Sequence, residues 1–529
     1  MMKKHIFIIA FIILNHFVLR AQDVYERQES ANVQSYIFSL GLNDETNAIK
    51  GEAVITVEFT DQAKHFTLDL IKKSGLYGMS ISGIFEEGNA LDFSFSDNKI
   101  TIPLTANNNK TRTFKIQYEG IAEKGLVIGK TKFGQRSFFG DNWPNLARHW
   151  LPCVDHPYDK AAVTFKVTAP EHYDVVATGK KTEESHLGNG FKLWVYEEPA
   201  PVATKVVTIG VTKFATKLLG MVDHIPVTAW VYPENRSEGF SDYSVSANAL
   251  NYFVKNIGPF PFAKLANVQA STQWGGLENA GTITYPENSV TGNNTYERTI
   301  AHEIAHQWFG DSATENSWNE VWLSEGFATY FAVLYQEAVY GNEKRKVELK
   351  IDRKEIIEYY KENPSPIVDN TIKDPMKVLS VNTYQKGSWV LNMLRHKLGN
   401  AVFWEGIRYY YKKNRDQNVT TSDFREAMEI VSGQDLKEFF KQWIFTKGYP
   451  ELQWNWNYGQ GKLKLNVKQV QKHHIFSFPL EVAFVHGNQI KIETFNLDSG
   501  SKTFEAKMDS KPDALILDPE VWLLYEDKN

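Results

Sequence analysis

A single cysteine, Cys153, occurs in 529 residues, so no disulfide can form within the chain and cysteine-rich metal sites are excluded. Its neighbours Leu151 and Val154 are apolar, which marks it as a small buried hydrophobe and not a nucleophile. Basic charge is scarce as well: 58 Lys and Arg stand against 63 Asp and Glu, a formal net charge of −5. With no basic cluster along the chain, an electrostatic footprint for nucleic acid is missing. Internal repeats and low-complexity tracts are also lacking, which excludes solenoid and fibrous architectures.

Long apolar runs are missing too, with one partial exception at the start. Met1-Met2-Lys3-Lys4-His5 is followed by apolar residues 6–14 and 17–19, interrupted by Asn15 and His16, and Ala21 precedes Gln22. The run falls short of the about 20 apolar residues that a membrane span needs. A basic start, a short apolar core and a small residue before the cut read as a cleavable signal peptide over residues 1–21. The competing reading is an uncleaved membrane anchor. A lipid anchor is disfavoured because residue 22 is not cysteine.

Cleavage leaves 508 residues and removes Lys3, Lys4 and Arg20, so 55 basic residues face 63 acidic ones and the net charge becomes −8. The expected product is exported, periplasmic or secreted if bacterial, with no stable membrane insertion after cleavage. Its length suits several domains of about 150 residues each.

Three regions differ in pattern. Residues 22–214 carry short alternating runs such as Ala53-Val54-Ile55-Thr56-Val57-Glu58-Phe59, separated by turns such as Asn107-Asn108-Asn109 and Gly188-Asn189-Gly190. That pattern predicts a β-rich domain of half-buried strands. Residues 215–446 turn α/β: a strand over 227–232, a helix over 242–257 ended by Gly258-Pro259, then further helices. Residues 447–529 follow Gly448-Tyr449-Pro450 and return to alternation, as in Lys462-Leu463-Lys464-Leu465-Asn466-Val467, which predicts a small β-sandwich. The fold class is multidomain α+β.

The chemistry concentrates in residues 302–325. His302-Glu303-Ile304-Ala305-His306 is followed, after eighteen residues, by Glu325. Successive helical residues turn by about 100°, so His302, His306 and Glu303 fall on one arc of a helix. Two imidazoles at i, i+4 can grip one metal, and Glu303 beside them can reach a water on the same ion. A catalytic zinc takes three protein ligands and keeps a fourth position open, and two histidines with a glutamate are one such set. Glu325 lies in the first turn of a second predicted helix, residues 318–340, with Phe327, Phe331, Leu334 and Ala338 on one face and a stop at Gly341. The expected cofactor is therefore Zn²⁺, one per chain.

The flanks narrow the type of zinc enzyme. Trp274-Gly275-Gly276-Leu277-Glu278-Asn279-Ala280-Gly281, the zinc-binding strings HEIAHQWFGD and WNEVWLSEGFATYF, and Tyr384-Gln385-Lys386-Gly387 occur in that order. Together they resemble the gluzincin aminopeptidases typified by aminopeptidase N and leukotriene hydrolase. The resemblance runs from about residue 25 to about residue 525, with Leu277 standing where the family string usually has methionine. It implies an N-terminal β-saddle, a thermolysin-like α/β catalytic domain and the C-terminal β-sandwich, without the large C-terminal helical domain of many members. It also implies that the enzyme cleaves the first peptide bond of peptide substrates with a free N-terminus.

On that resemblance Glu303 is the general base, and Tyr384 donates a hydrogen bond to the developing oxyanion. Glu278 binds the substrate's α-amino group, while the backbone at Gly275 and Gly276 lies along the peptide. Asn319 is expected close to the metal ligands. One departure stands out: His156 replaces the glutamate of the family's Asp-Glu-Pro. Trp143 stands where many members place a second group that binds the amino terminus. Either Asp141 or Asn142 takes over that role, or this chain does without it. Alternatives are a zinc endopeptidase or an epoxide hydrolase resembling leukotriene hydrolase; a catalytically dead scaffold is disfavoured because no ligand is missing. Side-chain preference and oligomeric state are not legible.

Overall fold

The computed structural model describes residues 24–60, 62–105 and 109–529. The expected signal peptide over residues 1–21 lies outside them, as do Asn107 and Asn108 of the expected turn. Among the described residues no helix is long and apolar enough to cross a membrane, which says nothing of a β-barrel.

The N-terminal region is β-rich. Its main sheet has eight strands, with Ala31–Gly41 near the middle, parallel to Ala161–Pro170 on one side and antiparallel to Ile49–Phe59 on the other. The strand Ile49–Phe59 buries Ala53, Ile55, Val57 and Phe59 at period two, as alternation dictates when one face meets a core. Gly188-Asn189-Gly190 makes the expected tight turn between Lys180–Gly188 and Phe191–Val202. Asn189 (φ 53°) and Gly190 (φ 78°) both adopt positive φ, the conformation that favours Asn-Gly there.

A four-stranded mixed sheet follows, in the order Ala215–Val222, Ile225–Val231, Leu265–Ala270, Thr282–Pro286. The first pair is antiparallel and the rest parallel. The helix Val245–Asn256 forms the crossover, three residues shorter at its start than expected because Tyr243 and Ser244 close a separate short helix, Arg236–Asp242. Beside this sheet lie the helices Glu297–His306, Trp322–Tyr340, Asn342–Glu362 and Gly387–Leu398. Trp318–Glu320 is a 3-10 turn and not the start of the Glu325 helix, which begins at Trp322 and ends at Gly341 as expected.

The C-terminal region is a sandwich of two small sheets. Leu463, Leu465 and Val467 from one face Leu480, Val482 and Phe484 from the other, all buried. Its last segment docks on the helix Asn342–Glu362. The buried Arg345 guanidinium lies 4.0 Å over the Trp522 ring and donates to the Glu520 carbonyl at 2.8 Å.

The N-terminal region grips the loop that follows the first histidine-bearing helix. Lys160 Nζ donates to the carbonyls of Asp311 (3.2 Å) and Ser312 (2.5 Å). Lys205 pairs with Glu315 at 2.5 Å, both side chains essentially without solvent exposure.

Candidate active site

The helix Glu297–His306 carries His302, Glu303 and His306, and the first turn of Trp322–Tyr340 carries Glu325. The structure brings them together. His302 Nε2 lies 3.0 Å from His306 Nε2, and Glu325 Oε2 lies 3.4 Å and 3.2 Å from the two. Zinc bonds of about 2.0–2.2 Å at tetrahedral angles would separate donor atoms by about 3.3 Å, so this triangle has the edge lengths of a zinc-sized ion's ligand set. Glu325 Oε2 is buried without a hydrogen-bond partner, as an atom aimed at a cation would be. These residues form the one candidate group of three or more metal-ligating side chains among the described residues.

The imidazole of His306 is held in one tautomer. Its Nδ1 lies 3.2 Å from the Phe309 carbonyl and 2.9 Å from Ser324 Oγ. A carbonyl oxygen only accepts, so Nδ1 carries a proton, and the neutral ring then presents its Nε2 lone pair to the metal position. Gly310 makes this approach possible: a Cβ there would stand 2.3 Å from Ser324 Oγ. Burial works against charge on both imidazoles. His302 falls to about 4, while the adjacent Glu325 carboxylate outweighs burial at His306 and raises it to about 10.

Asn319 takes a different place from the one expected. Its amide donates to the carbonyls of Asp369 at 2.5 Å and Ile372 at 3.5 Å, bracing a loop, and the polar contacts on His306 come from Ser324 and Phe309 instead. Nothing local in the sequence marks those two.

Glu303 is buried, and burial, followed by the nearby Glu278 and Glu325 carboxylates, pushes its pKa well up. Gly276 packs directly on it: a Cβ at Gly276 would fall 2.2 Å from Glu303 Oε1. The missing side chain at Gly276 therefore makes room for Glu303, whereas at Gly275 an added Cβ would meet no protein atom within 4 Å.

Tyr384 sits in a π-helical turn, Asn382–Lys386, that runs straight into the helix Gly387–Leu398. Gly326 and Gly387 place that turn, since a Cβ on Gly326 would stand 3.0 Å from both Gly387 Cα and the Thr383 carbonyl. Two glycines let the helices approach backbone to backbone, and the phenol ring comes to lie nearly parallel to the His302 ring, centroids 6.0 Å apart. Burial and then the Glu325 and Glu278 carboxylates raise the phenol pKa far above its usual value, so the hydroxyl remains a donor.

Glu278 is also buried, with Oε1 lacking any hydrogen-bond partner. It lines a cavity of about 320 Å³ with His302, His306, Glu325, Glu303 and Tyr384. Leu277 pairs through both main-chain hydrogen bonds with Thr284 of the sheet's edge strand, at 2.9 and 3.1 Å. Gln307, which sequence reasoning passes over, donates to the Glu278 carbonyl at 2.9 Å and accepts from the Gly281 N–H at 2.7 Å.

Trp274 and Gly275 also line a second, wider groove of about 1050 Å³, together with Asp141. Asp141 accepts from Trp274 Nε1 at 2.8 Å and Thr272 Oγ1 at 3.0 Å. Asn142 is fully occupied inside the fold, bonded to the Thr204 and Val207 carbonyls and to Trp150 Nε1. Trp143 is buried edge-on against Trp274 and Trp318. His156 is buried and stacks on Tyr25 at 4.7 Å, with Nδ1 accepting from the Tyr158 N–H.

The chain matches two family models, the peptidase family M1 domain over residues 243–443 and the peptidase M1 N-terminal domain over residues 32–206. It is 27% identical over 459 residues to probable aminopeptidase 2 of Sulfurisphaera tokodaii, covering 80% of this chain and 57% of that protein. It is 30% identical over 332 residues to glutamyl aminopeptidase of Homo sapiens, covering 60% of this chain and 34% of that one. The chain thus spans about half or less of these curated relatives. Legionella pneumophila aminopeptidase A, solved in complex with aspartic acid, superposes with a TM-score of 0.81 over 95% of this chain and 60% of its own, at 16% identity. That likeness speaks for the fold.

Proposed function

This chain belongs to peptidase family M1, and we propose that it is a zinc-dependent aminopeptidase that hydrolyses the first peptide bond of peptides with a free N-terminus. The observation that carries this reading is the buried, unpartnered Glu278 carboxylate in the same cavity as the ligand triangle. An unpaired buried carboxylate is costly unless a cationic donor meets it, and a substrate's α-ammonium is such a donor. The aminopeptidase names of the relatives support the same class.

His302, His306 and Glu325 would hold the zinc, which when bound lowers the pKa of a coordinated water and polarises a carbonyl. Glu303, one residue from His302 and pressed against Gly276, takes a proton from the attacking water and returns it to the leaving amine. Tyr384 donates to the oxygen on which negative charge develops. Glu278 anchors the amine and so sets which bond faces Glu303. Asp141, on the adjoining groove wall beside Trp274, takes the second contact with the amine, and Asn142 is committed elsewhere. We assign residues 1–21 as a cleaved export signal and 22–214, 215–446 and 447–529 as domains. N-terminal sequencing of exported protein should begin at Gln22.

The test compares one peptide with free and acetylated amino termini. Wild type should cleave the free form and barely touch the acetylated one. Glu278→Ala should cost about 10- to 150-fold in kcat/KM on the free peptide, the worth of a charge-assisted hydrogen bond. Efficient cleavage of the acetylated peptide by wild type would make the enzyme an endopeptidase instead.

A further inference from the structure

We infer that Gln307 is a positioning residue that holds the Glu278 carboxylate at a fixed span from the metal ligands. The inference rests on the reading of Glu278 as the amine anchor. Glu278 Oε1 has no hydrogen-bond partner, so the carboxylate's place is inherited from its backbone. That backbone belongs to a hairpin-like segment whose far side is secured to the sheet through Leu277 and Thr284 and through Asn279 Nδ2 on Thr284 Oγ1 at 3.2 Å. None of these bonds refers to the helix that carries the ligands.

Gln307 supplies that reference. It follows His306 directly and is fully buried. One amide end accepts from the Gly281 N–H at 2.7 Å, and the other donates to the Glu278 carbonyl at 2.9 Å and, more weakly, to the Glu303 carbonyl at 3.4 Å. A primary amide has one end that only accepts and one that only donates, and here both ends engage the amine-anchor segment. The Glu303 contact ties the same side chain back to its own helix. The result is a strut between the two motifs, short enough that a shift of one drags the other. Positioning of this kind matters because a misplacement of about 1 Å costs on the order of 100-fold in an aligned reaction.

The experiment measures the coupling of the two anchors without turnover. Two hydroxamates with the same side chain are compared by calorimetry on the zinc-loaded full chain, one bearing an α-amino group and one lacking it. The ratio of their affinities reports how well the amine and metal sites are set against each other, and about 10- to 150-fold is expected for wild type. Gln307→Met keeps the length and volume but removes both bonds. It should lower the ratio by about 10-fold while the affinity of the amine-free compound, the zinc content and the melting temperature change little. Gln307→Glu, which keeps an acceptor for Gly281 and removes the donor to Glu278, should lower the ratio in the same direction and serves if the methionine variant does not fold. The inference is overturned if a large wild-type ratio survives in the variants, or if both hydroxamates weaken equally. A wild-type ratio near one would instead remove the amine-anchor reading, and this inference with it.

Discussion

The helices Trp322–Tyr340 and Asn342–Glu362 are consecutive and of similar length, yet their surroundings are opposite. In the first, every residue from Trp322 to Gln336 is buried, so neighbours surround it on all sides. In the second, only Arg345, Glu348, Leu349, Asp352 and Ile356 are buried, a single stripe at helical spacing. The first presents Glu325 to two imidazoles at 3.2–3.4 Å and meets the Tyr384 turn glycine to glycine. The second holds the C-terminal segment and a network in which Glu348 and Asp352 pair with Arg298. A side chain that must sit within tenths of an ångström is carried on a helix that has no free face on which to slide. A helix that holds its neighbours along one face needs one stripe.

Four substitutions would break or sharpen this contrast. Glu325→Ala should abolish activity and bound metal together, because two imidazoles hold zinc poorly; elemental analysis and a peptidase assay check it. Gly326→Ala forces a methyl against Gly387 and the Thr383 carbonyl, both at 3.0 Å. It should cost about 1–3 kcal/mol of stability by overpacking and on the order of 100-fold in kcat by moving Tyr384, with zinc retained. Arg345→Ala on the second helix should cost about 2 kcal/mol in denaturant unfolding, since it removes the Trp522 stacking and the carbonyl hydrogen bonds, and leave kcat within about twofold of wild type. Ile351→Ser, on that helix's exposed side, should change stability by no more than about 0.5 kcal/mol. A large catalytic loss from either of the last two would mean that the second helix also sets the site.

What can be read from the sequence is what is local. The i, i+4 histidines with Glu303, the Glu325 spacing and the switch from period two to helical spacing and back each lie within one stretch of chain. The β-rich ends and helical middle follow from them. The parts that escape such reading join distant stretches. Ser324 and the Phe309 carbonyl on His306, Gln307 on the Glu278 segment, and the Gly326–Gly387 crossing have no periodicity of their own. Nearness to Glu325 in sequence points to Asn319 beside the ligands, but the 3-10 turn Trp318–Glu320 directs its amide to Asp369 and Ile372. Asp141 and Asn142 are adjacent and both polar, and only the fold separates the one on a groove wall from the one spent on Thr204, Val207 and Trp150.

The Lys205–Glu315 pair joins two regions of the molecule by charge. Its cation comes from the β-rich half and its anion from the loop behind the histidine helix, and neither touches solvent. Lys205→Met would leave Glu315 buried without its counter-charge, a defect of about 3–5 kcal/mol for a buried pair broken on one side. That is a large part of the total stability of an ordinary domain. Separating the two regions would expose both charges to water together with the surfaces packed around them. The pair therefore couples the β-rich region to the helical one, and the two are expected to unfold together.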